Sequence, residues 1–271
     1  MEDAELVRFY EGAYSQDPQA AMRYSRWRAL SAVGKADHVT ALCARAGLRP
    51  RSILDVGCGD GALLGELHSR AFGVHRAGVE IAAQAVASAR EREGIDTVDR
   101  FDGSTLPFPD RAFDLGILSH VLEHVHDPAR LLGEVARVCD AVVVEVPLEA
   151  NWSARREAKR RQALAVGHLQ RFARADVREI AAACGLRIVA ELADPLPLVV
   201  HRFHAQGGRE DAAAALRWAL RAGLLRTAPP LARRVFTLHF ACLCTRRDAQ
   251  RDAAEEKPGT RSAGVFGRAD G

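Results

Sequence analysis

Between residues 52 and 147 the chain alternates short apolar runs with stretches of helical periodicity, and this alternation restricts the fold more than any single residue does. The runs at 52–57 (SILDVG), 73–80 (GVHRAGVE), 113–120 (FDLGILSH) and 141–147 (AVVVEVP) read as strands, with a weaker one near 98–101. Their near-continuous apolar character fits strands covered on both faces. Segments 61–71 and 81–94 read as helices, the second closed by Gly94. A third helix at 127–139 opens with Asp127 as N-cap and Pro128 at the first helical position. Strands that alternate with helices of this length pair in parallel, because each helix is the crossover that a parallel return needs. A further helix at 173–185 and strands at 186–192 and 234–245 extend the pattern. The expected fold is α/β: a doubly wound, seven-stranded, mostly parallel sheet with helical insertions.

Two segments break the rhythm. Residues 148–172 carry the basic helix-like run ARREAKRRQALAVG, and residues 194–233 carry Pro195, Pro197, a Gly207-Gly208 pair, the helix-like REDAAAALRWALRAGLL and Pro229-Pro230. Both read as insertions in one domain spanning 48–246. Ahead of it, 1–47 has helical spacing and holds Tyr10, Tyr14, Tyr24 and Trp27, which suits either an N-terminal helical lid or plain core packing. The stretch 247–271 is polar, Gly-rich and almost without apolar residues, the composition of a disordered tail.

Charge narrows the function classes. The net formal charge is only +3, so the chain as a whole is no obvious nucleic-acid binder. The stretch 151–247, however, holds 18 Lys and Arg against 7 Asp and Glu. Such a half attracts a phosphate, a carboxylate, nucleic acid or an anionic membrane, or it is a solvated Arg-rich surface. The six cysteines show neither a C-x-x-C pair nor zinc spacing with histidine, and Cys242 and Cys244 would share one face of a strand. Packed free thiols and a cytoplasmic location are expected. The acidic start MEDAELVRFY is no signal peptide, and no long uncharged apolar stretch spans a membrane.

The most informative segment is Ile53-Leu54-Asp55-Val56-Gly57-Cys58-Gly59-Asp60-Gly61, where three glycines alternate between a strand end and a helix start. Glycine lets backbone turn tightly and approach a ligand, and the helix behind the loop offers free N–H groups. Alone this also satisfies a dinucleotide-binding pattern. Asp55 argues otherwise, since a carboxylate there suits an ammonium group better than a pyrophosphate. Glu80 ends the second strand, where it can accept from a ribose diol.

Downstream lie Phe101-Asp102-Gly103, Leu106-Pro107-Phe108, Phe113-Asp114-Leu115 and His120-Val121-Leu122-Glu123-His124-Val125. With the loop, this run from Ile53 to Pro147 resembles the class I S-adenosylmethionine-dependent methyltransferases, in the small-molecule group with a D-x-G-x-G-x-G loop and an LPF…VLEHV segment. The resemblance covers about a third of the chain and implies the Rossmann-like methyltransferase fold, with S-adenosylmethionine as cofactor. It implies that Gly57 and Gly59 pass under the methionine portion and that Asp55 helps to hold its amino group. It implies Glu80 on the ribose hydroxyls, Ile81 against the adenine, Asp102 and the Gly103 N–H on the adenine edge, and Ser119 and His120 beside the methyl group.

Methyl transfer is an in-line displacement that needs alignment and often removal of a proton. Histidine suits that task near neutral pH, which makes His120 and His168 the candidate catalytic residues. His168, in GHLQRF, reads equally as an anchor for the first insertion. Glu149 and Asn151 are candidates to touch the acceptor, Arg28 to reach the cofactor carboxylate, and His124 reads as scaffold. No metal site is expected, since HVLEHVHDP already matches the methyltransferase pattern, and transfer is expected to be metal-independent. The expected acceptor is a small molecule, with an anion fitting the basic half. Rival readings are an RNA or protein methyltransferase, a non-catalytic cofactor-binding scaffold and an NAD-dependent oxidoreductase, the last leaving the LPF and HVLEHV segments without a role. Residues 216–236, which mix Arg with Leu and Trp, suit the rim of the active site, a homodimer contact or a mild membrane association.

Overall fold

The computed structural model describes residues 18–203, 205 and 207–247. Tyr10 and Tyr14, and the tail expected beyond Arg247, lie outside the described residues. Seven strands form one sheet: β1 (Ser52–Val56), β2 (His75–Glu80), β3 (Thr97–Arg100), β4 (Phe113–Ser119), β5 (Cys139–Pro147), β6 (Leu186–Asp194) and β7 (His239–Arg246). Their order is β3-β2-β1-β4-β5-β7-β6. The first five pair in parallel, and β7 runs antiparallel between β5 and β6. From β1 the chain steps outward to β3 and then returns to β4 on the other side of β1, so the strand order reverses between β1 and β4. Ligands of open α/β sheets bind beyond the carboxyl ends of the strands at such a reversal.

The side-chain period of two divides the core. Leu54, Val56, Leu118, Val142, Val144 and Val146 face one layer, in which helices α4 (Pro128–Val138) and α6 (Arg174–Ala183) bury Leu131, Leu132, Val135, Val177 and Ala181. Ile53, Leu115, Ile117 and Val143 face the other layer, made by α1 (Pro18–Ala46), α2 (Ala62–Ser69) and α3 (Ala83–Arg90). Helix α1 docks through Ala32, Ala36, Val39 and Cys43, a spacing of four, three and four that keeps one stripe on the sheet. Truncating a side chain as enclosed as Leu132 to Ala costs about 2–5 kcal/mol. Helix α4 starts as its sequence dictates: the Asp127 carboxylate accepts from the Arg130 N–H at 2.9 Å, with Pro128 at the first turn.

The remaining helices, α5 (Glu157–Ala165), α7 (Leu198–Arg202), α8 (Gly208–Thr227) and α9 (Pro229–Val235), belong to the two segments that interrupt the alternation. The second of these is folded back on its own start, where the Trp218 Nε1–H donates to the Leu196 carbonyl at 2.8 Å. The sequence reading differs here. The strand expected from 234 begins only at His239, because Pro229-Pro230 opens a helix that runs to Val235. Proline at the first helical positions lacks only an N–H that would have no partner anyway. Among the described residues no helix is long and apolar enough to cross a membrane. All six cysteines are free, with the Cys242 and Cys244 sulfurs side by side at 3.8 Å.

Candidate active site

The carboxyl ends of β1, β2, β4 and β5 open into a cavity of about 880 Å³. That volume lies within the roughly 300–1,000 Å³ of ligand pockets. The residues singled out in the sequence converge on it: Asp55, Gly57, Gly59, Glu80, Ile81, Asp102, Gly103, Ser119, His120 and His168 all line its wall.

The glycine loop is shaped by its backbone. Gly57, Gly59 and Gly61 have φ of 74°, 58° and 74°, a left-handed conformation that side chains resist. The Gly57 and Cys58 N–H groups both donate to the Val79 carbonyl, at 2.8 and 3.1 Å, which pins the loop to the end of β2. A Cβ on Gly57 would sit 2.8 Å from Val121 Cγ2. Glu80 completes the cradle. One oxygen accepts the Gly59 N–H at 3.0 Å, and the other accepts those of Ile81 and Ala82 at 2.8 and 3.0 Å. Burial raises this carboxyl above its ordinary range, and the three N–H groups oppose that rise. The first oxygen keeps acceptor capacity on the cavity side. Asp55 lies deeper; burial outweighs the nearby Lys35 ammonium and, with Glu80, pushes its pKa up to about 7.

At the far rim Asp102 is exposed, and its Oδ1 closes a turn by accepting from the Ser104 N–H at 2.7 Å and the Thr105 N–H at 2.8 Å. These bonds hold its carboxyl below the ordinary range and leave Oδ2 for a ligand. Helix α1 contributes Tyr24, Trp27, Arg28, Ser31 and Lys35 to the wall. Arg28 lies 4.6 Å over the Tyr24 ring and pairs with Asp60 at 3.2 Å. It borders the cavity while paired to the glycine loop.

The floor holds a buried ionic network. Glu145, fully enclosed on β5, accepts from Ser119 Oγ at 2.9 Å and pairs with His38 of α1 at 3.0 Å; His38 also meets Asp194 at 2.7 Å. Burial works against charge on His38, but its bonds to Asp194 and Glu145 prevail and push its pKa up to about 10. Burial likewise opposes charge on Glu145, yet His120 and His38 hold its carboxyl well below the ordinary range. His120, at φ 61°, has both ring nitrogens engaged: Nδ1 with Glu123 at 2.9 Å and Nε2 with His239 Nδ1 at 2.9 Å. Burial disfavours its charged form, but Glu123 more than compensates and its pKa is raised. Burial and the charge of His120 hold His239 far below its usual value. The proton of this pair therefore rests on His120.

His168 packs beside His124, ring centroids 4.9 Å apart, and its Nδ1 meets Glu149 at 2.9 Å. Asn151 stands apart from the cavity wall. Its amide caps the chain after β5, accepting from the Ser153 hydroxyl at 2.8 Å and the Ala154 N–H at 3.0 Å, and donating to the Leu148 carbonyl. Glu123, Glu145, His38 and His239 were not singled out in the sequence. The available signal was a lone charged residue in an apolar run, Glu145 in AVVVEVP above all, since a buried charge requires a partner.

Residues 24–191 match the family model of a methyltransferase domain. An ajmaline N-methyltransferase of Rauvolfia serpentina is 35% identical over 97 residues, which are 33% of this chain and 33% of that protein. The chain thus spans about a third of that relative's length. Similar folds occur in a Haemonchus contortus phosphoethanolamine N-methyltransferase, in complex with phosphomonomethylethanolamine and S-adenosylhomocysteine (TM-score 0.54, 13% identity, 78% of this chain and 52% of that one). Another is the [4+2]-cyclase SpnF (TM-score 0.54, 21% identity, 78% of this chain and 81% of that one).

Proposed function

We propose, from the premise that this chain belongs to the methyltransferase-domain family, that it binds S-adenosylmethionine in the cavity and transfers the methyl group to a small-molecule acceptor. One observation carries the reading: a cradle of left-handed glycines is locked to a buried acid, Glu80, that still has acceptor capacity toward the cavity. These residues fit the cofactor. Glu80 accepts from a ribose hydroxyl, Ile81 offers an apolar face to the base, and Asp102 Oδ2 with the Gly103 N–H serves the base edge. Asp55 and the loop backbone hold the amino-acid end. When bound, S-adenosylmethionine supplies an electrophilic methyl group; alignment of the acceptor falls to the protein.

The acceptor side is the part of the cavity bounded by His168, Glu149, Gln162, Val166, Leu196 and Phe203. His120 acts there as a positioning residue, since its two nitrogens orient Glu123 and His239. His168 faces the acceptor, its ring held by Glu149. An anionic acceptor is supported by a local excess of cations. Lys159, one turn before Gln162 on α5, has its pKa lowered by burial and by Arg221, with Glu149 opposing and Arg217 adding to the fall. Arg221 is itself lowered, by burial and by Arg217.

Calorimetric titration of the full chain with S-adenosylhomocysteine tests the cofactor, and transfer of a labelled methyl group to a panel of small anionic acceptors tests the reaction. Micromolar binding is expected. Absence of binding, with NAD bound instead, overturns the reading.

A further inference from the structure

We propose that Glu123, His124 and His168 form a binding site for a divalent first-row transition-metal ion on the acceptor side of the cavity. One potential ligand atom from each lies within 4.8 Å of the others. Bonds of about 2.1 Å to one ion place ligand atoms roughly 3–4 Å apart, so side-chain rotations of under about 1 Å close the site.

Three further features distinguish this cluster from a chance meeting of polar groups. The first is the orphaned oxygen. Glu123 is fully enclosed, its Oε1 is taken by His120, and among the described residues its Oε2 meets no hydrogen-bond donor. A buried carboxylate oxygen without a donor is costly, and a cation is the partner it lacks.

The second is the histidine tautomers. His168 Nδ1 faces the Glu149 carboxylate at 2.9 Å, and His124 Nδ1 faces the Gly167 carbonyl at 3.1 Å. Both partners are acceptors, so each Nδ1 carries the proton and each neutral ring keeps its lone pair at Nε2. His124 Nε2 lies 4.0 Å from Glu123 Oε1. Metal-bound histidines characteristically donate their other N–H to a carboxylate or a backbone carbonyl.

The third is rigidity. The Leu169 and Gln170 N–H groups donate to the Glu123 carbonyl at 2.8 and 3.0 Å, clamping the segment that bears His168 against the one that bears Glu123 and His124.

A second cluster, His120, Glu145 and His239, also brings ligand atoms within 4.8 Å. It is closed on itself, because His120 and His239 bond to each other and Glu145 is saturated by Ser119 and His38. Two imidazoles and one carboxylate leave an ion with open positions toward the cavity, and this donor set suits zinc or iron(II) better than magnesium. Glu123 and, through His168, Glu149 balance its two positive charges. The site departs from the expectation of metal-independent transfer. Resting on the methyl-transfer reading, its role is to hold an oxygen of the acceptor.

The test is cobalt(II) titration of the full chain, after removal of metals by a chelator, followed by visible d–d absorption and equilibrium dialysis. One ion per chain is expected. Affinity should fall by more than about tenfold in His168→Ala and by about tenfold in the milder Glu149→Gln, which leaves all three ligands in place. No stoichiometric cobalt in the wild type overturns the site, as does wild-type affinity in both variants or loss of binding in His239→Ala but not in His168→Ala. S-adenosylhomocysteine is titrated in parallel. Binding of it without cobalt refutes the metal site alone, and cobalt without it refutes the cofactor reading alone.

Discussion

Glu80→Gln is the sharpest test of how the cradle works, because it changes one oxygen to an NH2 with almost no change in shape. Glu80 accepts three backbone N–H groups, from Gly59 on one oxygen and from Ile81 and Ala82 on the other. A glutamine has a single acceptor oxygen. Its best orientation keeps that oxygen on the Ile81 and Ala82 pair and turns the NH2 toward the Gly59 N–H, so donor faces donor at the centre of the loop. Leaving that buried N–H unpartnered costs about 1–3 kcal/mol. At roughly 2–4 °C per kcal/mol for a chain of this size, the melting temperature should fall by roughly 2–12 °C. A ribose hydroxyl would lose a charge-assisted bond worth about 1.5–3 kcal/mol, roughly a tenfold to hundredfold loss of affinity. Thermal unfolding and calorimetry with S-adenosylhomocysteine measure both effects. Asp102→Asn is the control, because its exposed turn keeps an acceptor oxygen and its stability should stay within about 0.5 kcal/mol. A Glu80→Gln protein that melts with the wild type and binds S-adenosylhomocysteine within about twofold refutes the assignment of Glu80 as both loop lock and ligand acceptor.

Gly57→Ala forces a side chain into φ 74° with its Cβ 2.8 Å from Val121 Cγ2, so a stability loss of about 1–2 kcal/mol and weaker S-adenosylhomocysteine binding are expected; retained stability refutes the strain argument. His38 has a folded pKa of about 10 against an ordinary 6.5, so its contribution is complete below pH 6.5 and drains away as pH rises toward 10, at up to about 1.4 kcal/mol per unit. Thermal melts across that range should fall in the wild type and flatten in His38→Gln; equal slopes exclude the ion pair as the cause. Asp55, with its pKa pushed up to about 7, loses its charge as pH falls below that value. Calorimetry should therefore show S-adenosylhomocysteine, through its ammonium group, weakening by up to about tenfold per unit on the acid side. Asp55→Asn should abolish that dependence, and a pH-dependence that persists in this variant assigns it to another group.

How much could be read in advance depended on how locally each feature is encoded. The glycine loop was legible because its geometry arises from adjacent residues: three positive-φ glycines between a buried strand and a helix have few other uses. Glu80 and Asp102 were legible for the same reason, each lying at or just past the end of its own strand. The start of β7 was misread because Val235 and Phe236 extend its apolar run, whereas the helix opened by Pro229-Pro230 takes Val235. The histidine network was hidden because its bonds are not local. His38 and Glu145 are separated by 107 residues, and His38 and Asp194 by 156. What joins them is strand parity. Glu145 lies one step out of phase with Val144 and Val146, so it faces the layer of α1, two turns along which His38 follows the cavity-lining Ser31.

That parity also accounts for the different fates of the acids on the floor. Glu145 points toward a helix that supplies a matching histidine, and Ser119 bonds its second oxygen, so its charge is fully compensated within the protein. Glu123 follows the end of β4, where the backbone leaves the sheet through His120 at φ 61°, and among the described residues its second oxygen meets no donor. A buried acid that the scaffold satisfies can be explained by folding alone. One left unsatisfied beside two histidines of fixed tautomer raises the cost of folding without return, unless a cation completes it. The burden of Glu123 is therefore a feature of the site's chemistry, and the HVLEH segment, in which the sequence offered His120 as catalytic and His124 as scaffold, is the part of this chain in which scaffold and chemistry coincide.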